Sequence, residues 1–180
     1  MDFFRDYFTL LSEKIADIDD KVLDQAVEMI KATSKNGKKV IIAGNGGSAA
    51  MASHVSVDFT KNAKIRSINF NESDFITCYA NDYGYEEWVS QALKSYADSG
   101  DLVILISSSG SSKNIVNGAK TAKEMGLQLI TLSGFNPQNP LRQLGDINFY
   151  VESKGYNIVE MSHHVWLVAI VDKIIGRIEY

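Results

Sequence analysis

Two stretches of this chain are built alike: an apolar, β-like run, a turn of small residues, then a helical pattern. The first runs through Lys39-Val40-Ile41-Ile42-Ala43 into Gly44-Asn45-Gly46-Gly47-Ser48. The second runs through Leu102-Val103-Ile104-Leu105-Ile106 into Ser107-Ser108-Ser109-Gly110-Ser111-Ser112. Strands alternating with helices imply a parallel sheet with helices on both faces. Glycine turns tightly and lets the backbone approach a ligand closely. Small hydroxyls add donors, and the helix that follows presents unpaired N–H groups to an anion. Neither turn is a G-x-G-x-x-G dinucleotide fingerprint or a Lys-containing P-loop. Two such turns at the carboxyl ends of parallel strands point to one small phosphorylated ligand; ordinary strand-to-helix turns are the plainer alternative.

The rest of the chain continues the alternation. Apolar spacing predicts two leading helices over 3–18 and 19–34, the second carrying Val22, Leu23, Ala26, Val27 and Ile30 on one face and ending at Asn36-Gly37. Strands are predicted at 38–43, 65–70, 102–106, 128–132 and 147–151, and further helices at 48–61, 74–80, 86–97, 113–125 and 157–177. The expected fold is therefore α/β, a three-layer αβα sandwich around a parallel sheet. Ala80-Asn81-Asp82-Tyr83-Gly84-Tyr85 reads as a turn between two helices, with Asn81 and Asp82 as caps of the second. The last helix is apolar nearly all round its middle, which suits burial on every side. We expect its extra cover, and a use for residues 1–36, in a homo-oligomer.

A length of 180 residues fits one domain with a substantial core, and no repeat, low-complexity segment or linker divides it. A net charge of −4 with scattered basic residues argues against a nucleic-acid surface. The apolar run Val165–Val171 is too short to span a bilayer, and Met1-Asp2-Phe3-Phe4-Arg5-Asp6 lacks the basic start of a signal peptide. The single cysteine, Cys78, suits a reducing compartment and reads as a small buried hydrophobe. These features together predict a cytoplasmic protein with no membrane partner.

Two helical pairs are candidates for the chemistry. His54 and Asp58 lie four apart on the helix that starts at the first glycine turn, and Glu160 and His164 lie four apart on the last helix. Residues four apart share a face, so each pair presents an imidazole beside a carboxylate. Facing each other, the two pairs would make a metal site for zinc, or supply an acid and a base. A solvated face or a structural hydrogen bond is the alternative for each pair alone. His163 sits about 100° round the helix from His164, so one of the two joins the Glu160 face.

Several of these segments, taken in order, resemble the sugar isomerase (SIS) domain family, and more closely its phosphoheptose isomerase branch. They are Gly44-Asn45-Gly46-Gly47-Ser48-Ala49-Ala50, His54, Ala80–Tyr85, Gly100–Val103, Ile106–Ser112 and Leu129-Ile130-Thr131-Leu132-Ser133-Gly134. The resemblance implies a ketose–aldose isomerase that converts sedoheptulose 7-phosphate to a heptose 7-phosphate for surface polysaccharide synthesis. It also implies a homotetramer with sites between subunits, and zinc in some members. By position, Ser107, Ser108, Ser109 and Ser112 would hold the phosphate; Asn45, Gly46, Gly47, Ser48, Asn81, Asp82 and Glu160 would line the sugar; His54 would bind metal.

The catalytic positions depart from the branch. Asp58 stands where it has a glutamate, Glu160 where it has a glutamine, and Val168 where it has a catalytic histidine eight residues on. His164 lies one turn before Val168 on the same face and offers an imidazole in its place. Asp58 and His164 are thus the expected proton-handling pair, and His54, Asp58, Glu160 and His164 the expected ligands of a divalent metal. The rival reading, carried by Val168, is a non-catalytic phosphosugar-binding or regulatory protein with a protein partner.

Overall fold

The computed structural model describes residues 2–178. Two leading helices, α1 (Phe3–Ala16) and α2 (Asp20–Lys35), precede β1 (Val40–Gly44) and α3 (Gly47–Lys61). Then come β2 (Ser67–Asn69), α4 (Ser73–Tyr83), α5 (Trp88–Tyr96), β3 (Leu102–Ser107) and α6 (Lys113–Glu124). The last elements are β4 (Gln128–Gly134), β5 (Ile147–Val151) and α7 (Tyr156–Ile175). All strand pairs are parallel, in the order β2-β1-β3-β4-β5.

Successive residues of a strand point to opposite faces, and the register turns that rule into layers. Ile42, Ile104, Ile130 and Ile147 stand opposite one another across four strands. They belong to one apolar cluster with Val27 and Ile30 of α2, Val55 and Phe59 of α3 and Trp166 and Leu167 of α7. One residue earlier, Ile41, Val103 and Leu129 belong to the other cluster, with Trp88 and Leu93 of α5 and Ile115 and Ala119 of α6. The result is the three-layer sandwich expected from the alternation.

The chain moves outward from β1 to β2, then crosses back to lay β3 on the other side of β1. The strand order therefore reverses between β1 and β3, and a crevice opens where their carboxyl ends diverge. Gly44 and Ile106 are register partners, so the two small-residue turns leave the sheet side by side. At the opposite ends, buried Lys39 bridges Asp98 at 2.7 Å and buried Asp101 at 2.6 Å.

Two local expectations are corrected, the caps of α5 and the burial of Cys78. Helix α4 continues through Asn81 and Asp82 and ends at Gly84, whose φ is +88°. Asn81 and Asp82 therefore do not cap α5; its N-cap is Glu87. Cys78 is exposed, because α4 buries none of its residues fully. The apolar girth of α7 is covered in large part within the chain, by α1, α2 and α3. Trp166 donates from its indole N–H to the Ile15 carbonyl of α1 at 2.9 Å. Among the described residues no helix is long and apolar enough to cross a membrane.

Candidate functional site

The two turns and the start of α7 enclose a cavity of about 120 Å³. The β3 turn contributes Ile106, Ser107, Ser108, Ser109 and Ser112; the β1 turn contributes Asn45 and Ser48; α7 contributes Tyr156 and Glu160. Gly46 makes the first turn possible: its φ of +54° with ψ of −121° is open to glycine and strained for other residues. Ser107 donates to the Ser112 hydroxyl at 3.0 Å, and the Gly110 N–H closes the loop on the Ser107 carbonyl at 2.9 Å. Ser112 is the N-cap of α6 but its side chain makes no capping bond, so the helix start retains donors for an anion.

A side-chain network ties the turns together. Asn45 and Asn114 exchange side-chain amide hydrogen bonds at 3.0 and 2.8 Å, and the Tyr85 hydroxyl donates to Asn45 Oδ1 at 3.1 Å. Asn114 is buried and was not among the sequence candidates. Its place in the first turn of α6, two residues past Ser112, is the signal that marks it. Tyr156 carried no comparable signal, since only the docking of α7 brings it to the cavity.

Helices α3 and α7 pack against each other and bring three of the four paired residues into a line. His54 Nε2 lies 3.2 Å from Asp58 Oδ2, and His54 Nδ1 lies 2.8 Å from His164 Nε2. A carboxylate only accepts, so His54 donates from Nε2, and in its neutral form the same ring accepts at Nδ1. His164 then donates from Nε2 and keeps a lone pair on Nδ1. Burial, then the neighbouring His54, hold the His164 imidazole below its ordinary pKa, so it stays a neutral base. The Asn62 amide donates to Asp58 Oδ1 at 3.0 Å and steadies the far end of the line.

The structure decides between the adjacent histidines. His163 points into the core, where Nε2–H donates to the Ser133 carbonyl at 3.1 Å and Nδ1 has no partner. Its burial pushes its pKa down to about 4. Val168 packs against the core cluster.

Glu160 does not join the histidine line. Its Oε1 accepts from the Ser108 hydroxyl at 3.4 Å, at the serine cavity. Among the described residues no group of three or more His, Cys, Asp or Glu side chains is disposed to hold a metal ion. The expected quartet for zinc does not assemble as arranged. Both ring nitrogens of His54 are engaged, and the 2.8 Å imidazole contact is shorter than the separation of about 3.3 Å that two nitrogens take around tetrahedral zinc. Asn81 and Asp82 stand exposed, the Asn81 amide on Asp82 Oδ1 at 2.9 Å, and neither lines the cavity.

A larger hollow of about 290 Å³ lies between α2 and α7, lined by residues such as Leu23, Val27, Ile170 and Lys173. It lacks the convergent donors of the serine cavity, which is the site the chemistry favours.

Comparison with known proteins places this arrangement. The SIS domain family model matches residues 3–134. The phosphoheptose isomerase of Campylobacter concisus is 37% identical over 147 residues, covering 78% of this chain and 77% of that protein. That of Fusobacterium nucleatum is 31% identical over 175 residues, covering 94% and 90%. The solved structure of phosphoheptose isomerase from Neisseria gonorrhoeae superposes with a TM-score of 0.87 at 25% identity, covering 96% of this chain and 95% of that one. With its parallel sheet, its serine turn at the switch point and relatives matching most of its length, the chain belongs to the SIS domain family, in the phosphoheptose isomerase branch.

Proposed function

We propose that this protein is an aldose–ketose isomerase that converts sedoheptulose 7-phosphate to a heptose 7-phosphate, a precursor for surface polysaccharide. The observation that carries this reading is the serine-lined cavity at the β1/β3 crevice with an imidazole base on the adjoining helix. Ser107, Ser108, Ser109 and Ser112 hold the phosphate through hydroxyls and the N–H groups at the start of α6. Asn45, Gly46, Gly47, Ser48 and Glu160 face the sugar.

The proton-handling pair is Asp58 and His164, coupled through His54. The Nδ1 lone pair of His164 takes the proton from the hydroxymethyl carbon next to the ketose carbonyl. The C–H electron pair forms the carbon–carbon double bond, and the carbonyl oxygen takes a proton, giving a cis-enediol. Return of a proton to the former carbonyl carbon, with loss of the other enediol hydroxyl proton, leaves the aldose. Asp58 orients His54 and offsets the positive charge that His164 acquires in passing.

The test is turnover of sedoheptulose 7-phosphate by the wild type and by His164→Ala. General-base loss predicts a fall in kcat of roughly 100-fold or more with the fold intact. Full activity in the variant removes His164 from the mechanism. A wild type that binds the sugar phosphate without turning it over supports the non-catalytic reading.

A further inference from the structure

The serine cavity carries one charged side chain among the described residues that line it, and that side chain is an anion. Glu160 stands among Ser107, Ser108, Ser109 and Ser112, with no lysine, arginine or histidine beside it in the lining. A phosphate monoester brings a charge of about −1.5 to −2 near neutral pH. A cradle of neutral donors thus receives a dianion next to a carboxylate, and like charges at close range oppose each other.

The carboxylate also competes for a donor. Ser108 donates to Glu160 Oε1 at 3.4 Å, a long contact for a hydroxyl and a carboxylate. A phosphate oxygen that takes the Ser108 proton leaves Glu160 without that partner. On the α3 side Glu160 Oε2 already rests against Gly47, in space that a Cβ there would contest. An acceptor left unpaired in such a space is costly unless the ligand supplies a donor.

We propose that Glu160 is a specificity-determining residue: it makes the serine cavity select phosphate esters that carry a nearby hydroxyl over inorganic phosphate and hydroxyl-free esters. This deepens the function proposed above and rests on its placing of phosphate at the serine loop. A hydroxyl on the carbons next to the ester donates to Glu160 and replaces Ser108. Alkyl phosphates bring charge without that hydroxyl, and inorganic phosphate at neutral pH offers only its own P–O–H, held within the serine loop rather than on a neighbouring carbon. A site built to hydrogen-bond a ligand group rejects analogues that lack it.

Calorimetric titration of the full chain with inorganic phosphate, ethyl phosphate and sedoheptulose 7-phosphate tests this. The wild type should bind the sugar phosphate at least about 100-fold more tightly than ethyl phosphate. Glu160→Gln keeps the shape and removes the charge. It should tighten inorganic and ethyl phosphate about tenfold while leaving the sugar phosphate equal or weaker. Glu160→Ala should narrow the same ratio, which a general loss of folding would not do. If both variants leave the three affinities in the wild-type ratio, the proposal is overturned. Turnover measured on the same wild-type samples separates the two claims. Turnover with unchanged ratios defeats the role of Glu160 alone; collapsed ratios without turnover support it and defeat the isomerase reading. A wild type that binds no phosphate ester defeats both.

Discussion

His163 and His164 are neighbours in sequence and opposites in chemistry. His164 shares a hydrogen bond with His54 at the edge of α3, and His163 is sealed in the core with one nitrogen unpartnered. Burial lowers the pKa of His163 to about 4 from the unfolded 6.5, so the unfolded chain binds the extra proton first. The stability held by its neutral form is complete above pH 6.5 and drains away as pH falls towards 4. The full shift corresponds to about 3 kcal/mol. Denaturant unfolding at a series of pH values should show this slope, and His163→Leu should flatten it. An unchanged slope in the variant would place the acid sensitivity elsewhere.

At the scale of elements, the site depends on β1 and β3 holding their register. The clamp is at the end of the sheet away from the cavity. Lys39 immediately precedes β1, and its ammonium meets Asp101, which also accepts from the Lys39 backbone N–H at 3.0 Å and the Asp98 N–H at 2.8 Å. Removing the cation leaves a buried carboxylate without its counter-charge. Lys39→Met should therefore cost about 3–5 kcal/mol in chemical denaturation. A loss below about 1 kcal/mol would mean that the two backbone donors satisfy Asp101 by themselves. At the other end, the Asn45–Asn114 amide pair does the corresponding work between the turns, joining the start of α3 to the start of α6.

At the scale of the molecule, apolar surface remains uncovered where the helical layer of α1, α3 and α7 faces outward. Phe3, Phe4 and Phe8 of α1 are exposed, as are Val57 of α3 and Met161 and Val165 of α7. Helix α1 buries none of its residues fully within the chain, although it rests on α7. We propose that copies of the chain cover this surface, as a homotetramer. Light scattering should then give a mass four times 19.9 kDa. Phe4→Ser with Phe8→Ser should lower that mass without unfolding the protein. A monomer at micromolar concentration would overturn the assembly.

How much of this was legible beforehand follows from which interactions are local. The strands at 102–106 and 147–151 and the turns at Gly44–Ser48 and Ser107–Ser112 were readable, because apolar runs and glycine or serine turns act over a few residues. Helix α4 was misjudged at its end, since Asn81 and Asp82 have the chemistry of caps while Gly84 sets the stop. Edge strand β2 pairs only over Ser67–Asn69, shorter than 65–70, as Phe70 leaves the ladder for the α5 side and stacks on Phe75. Local pattern is enough for the layers, the two turns and the i, i+4 pairing of His54 with Asp58. Packing between distant elements is what brings His164 to His54, buries His163 in the core and turns Glu160 to Ser108. The reason is rotational: residues one apart on a helix differ by about 100°, and the phase of α7 against α3 is set by how Val159, Trp166 and Leu167 pack into the core.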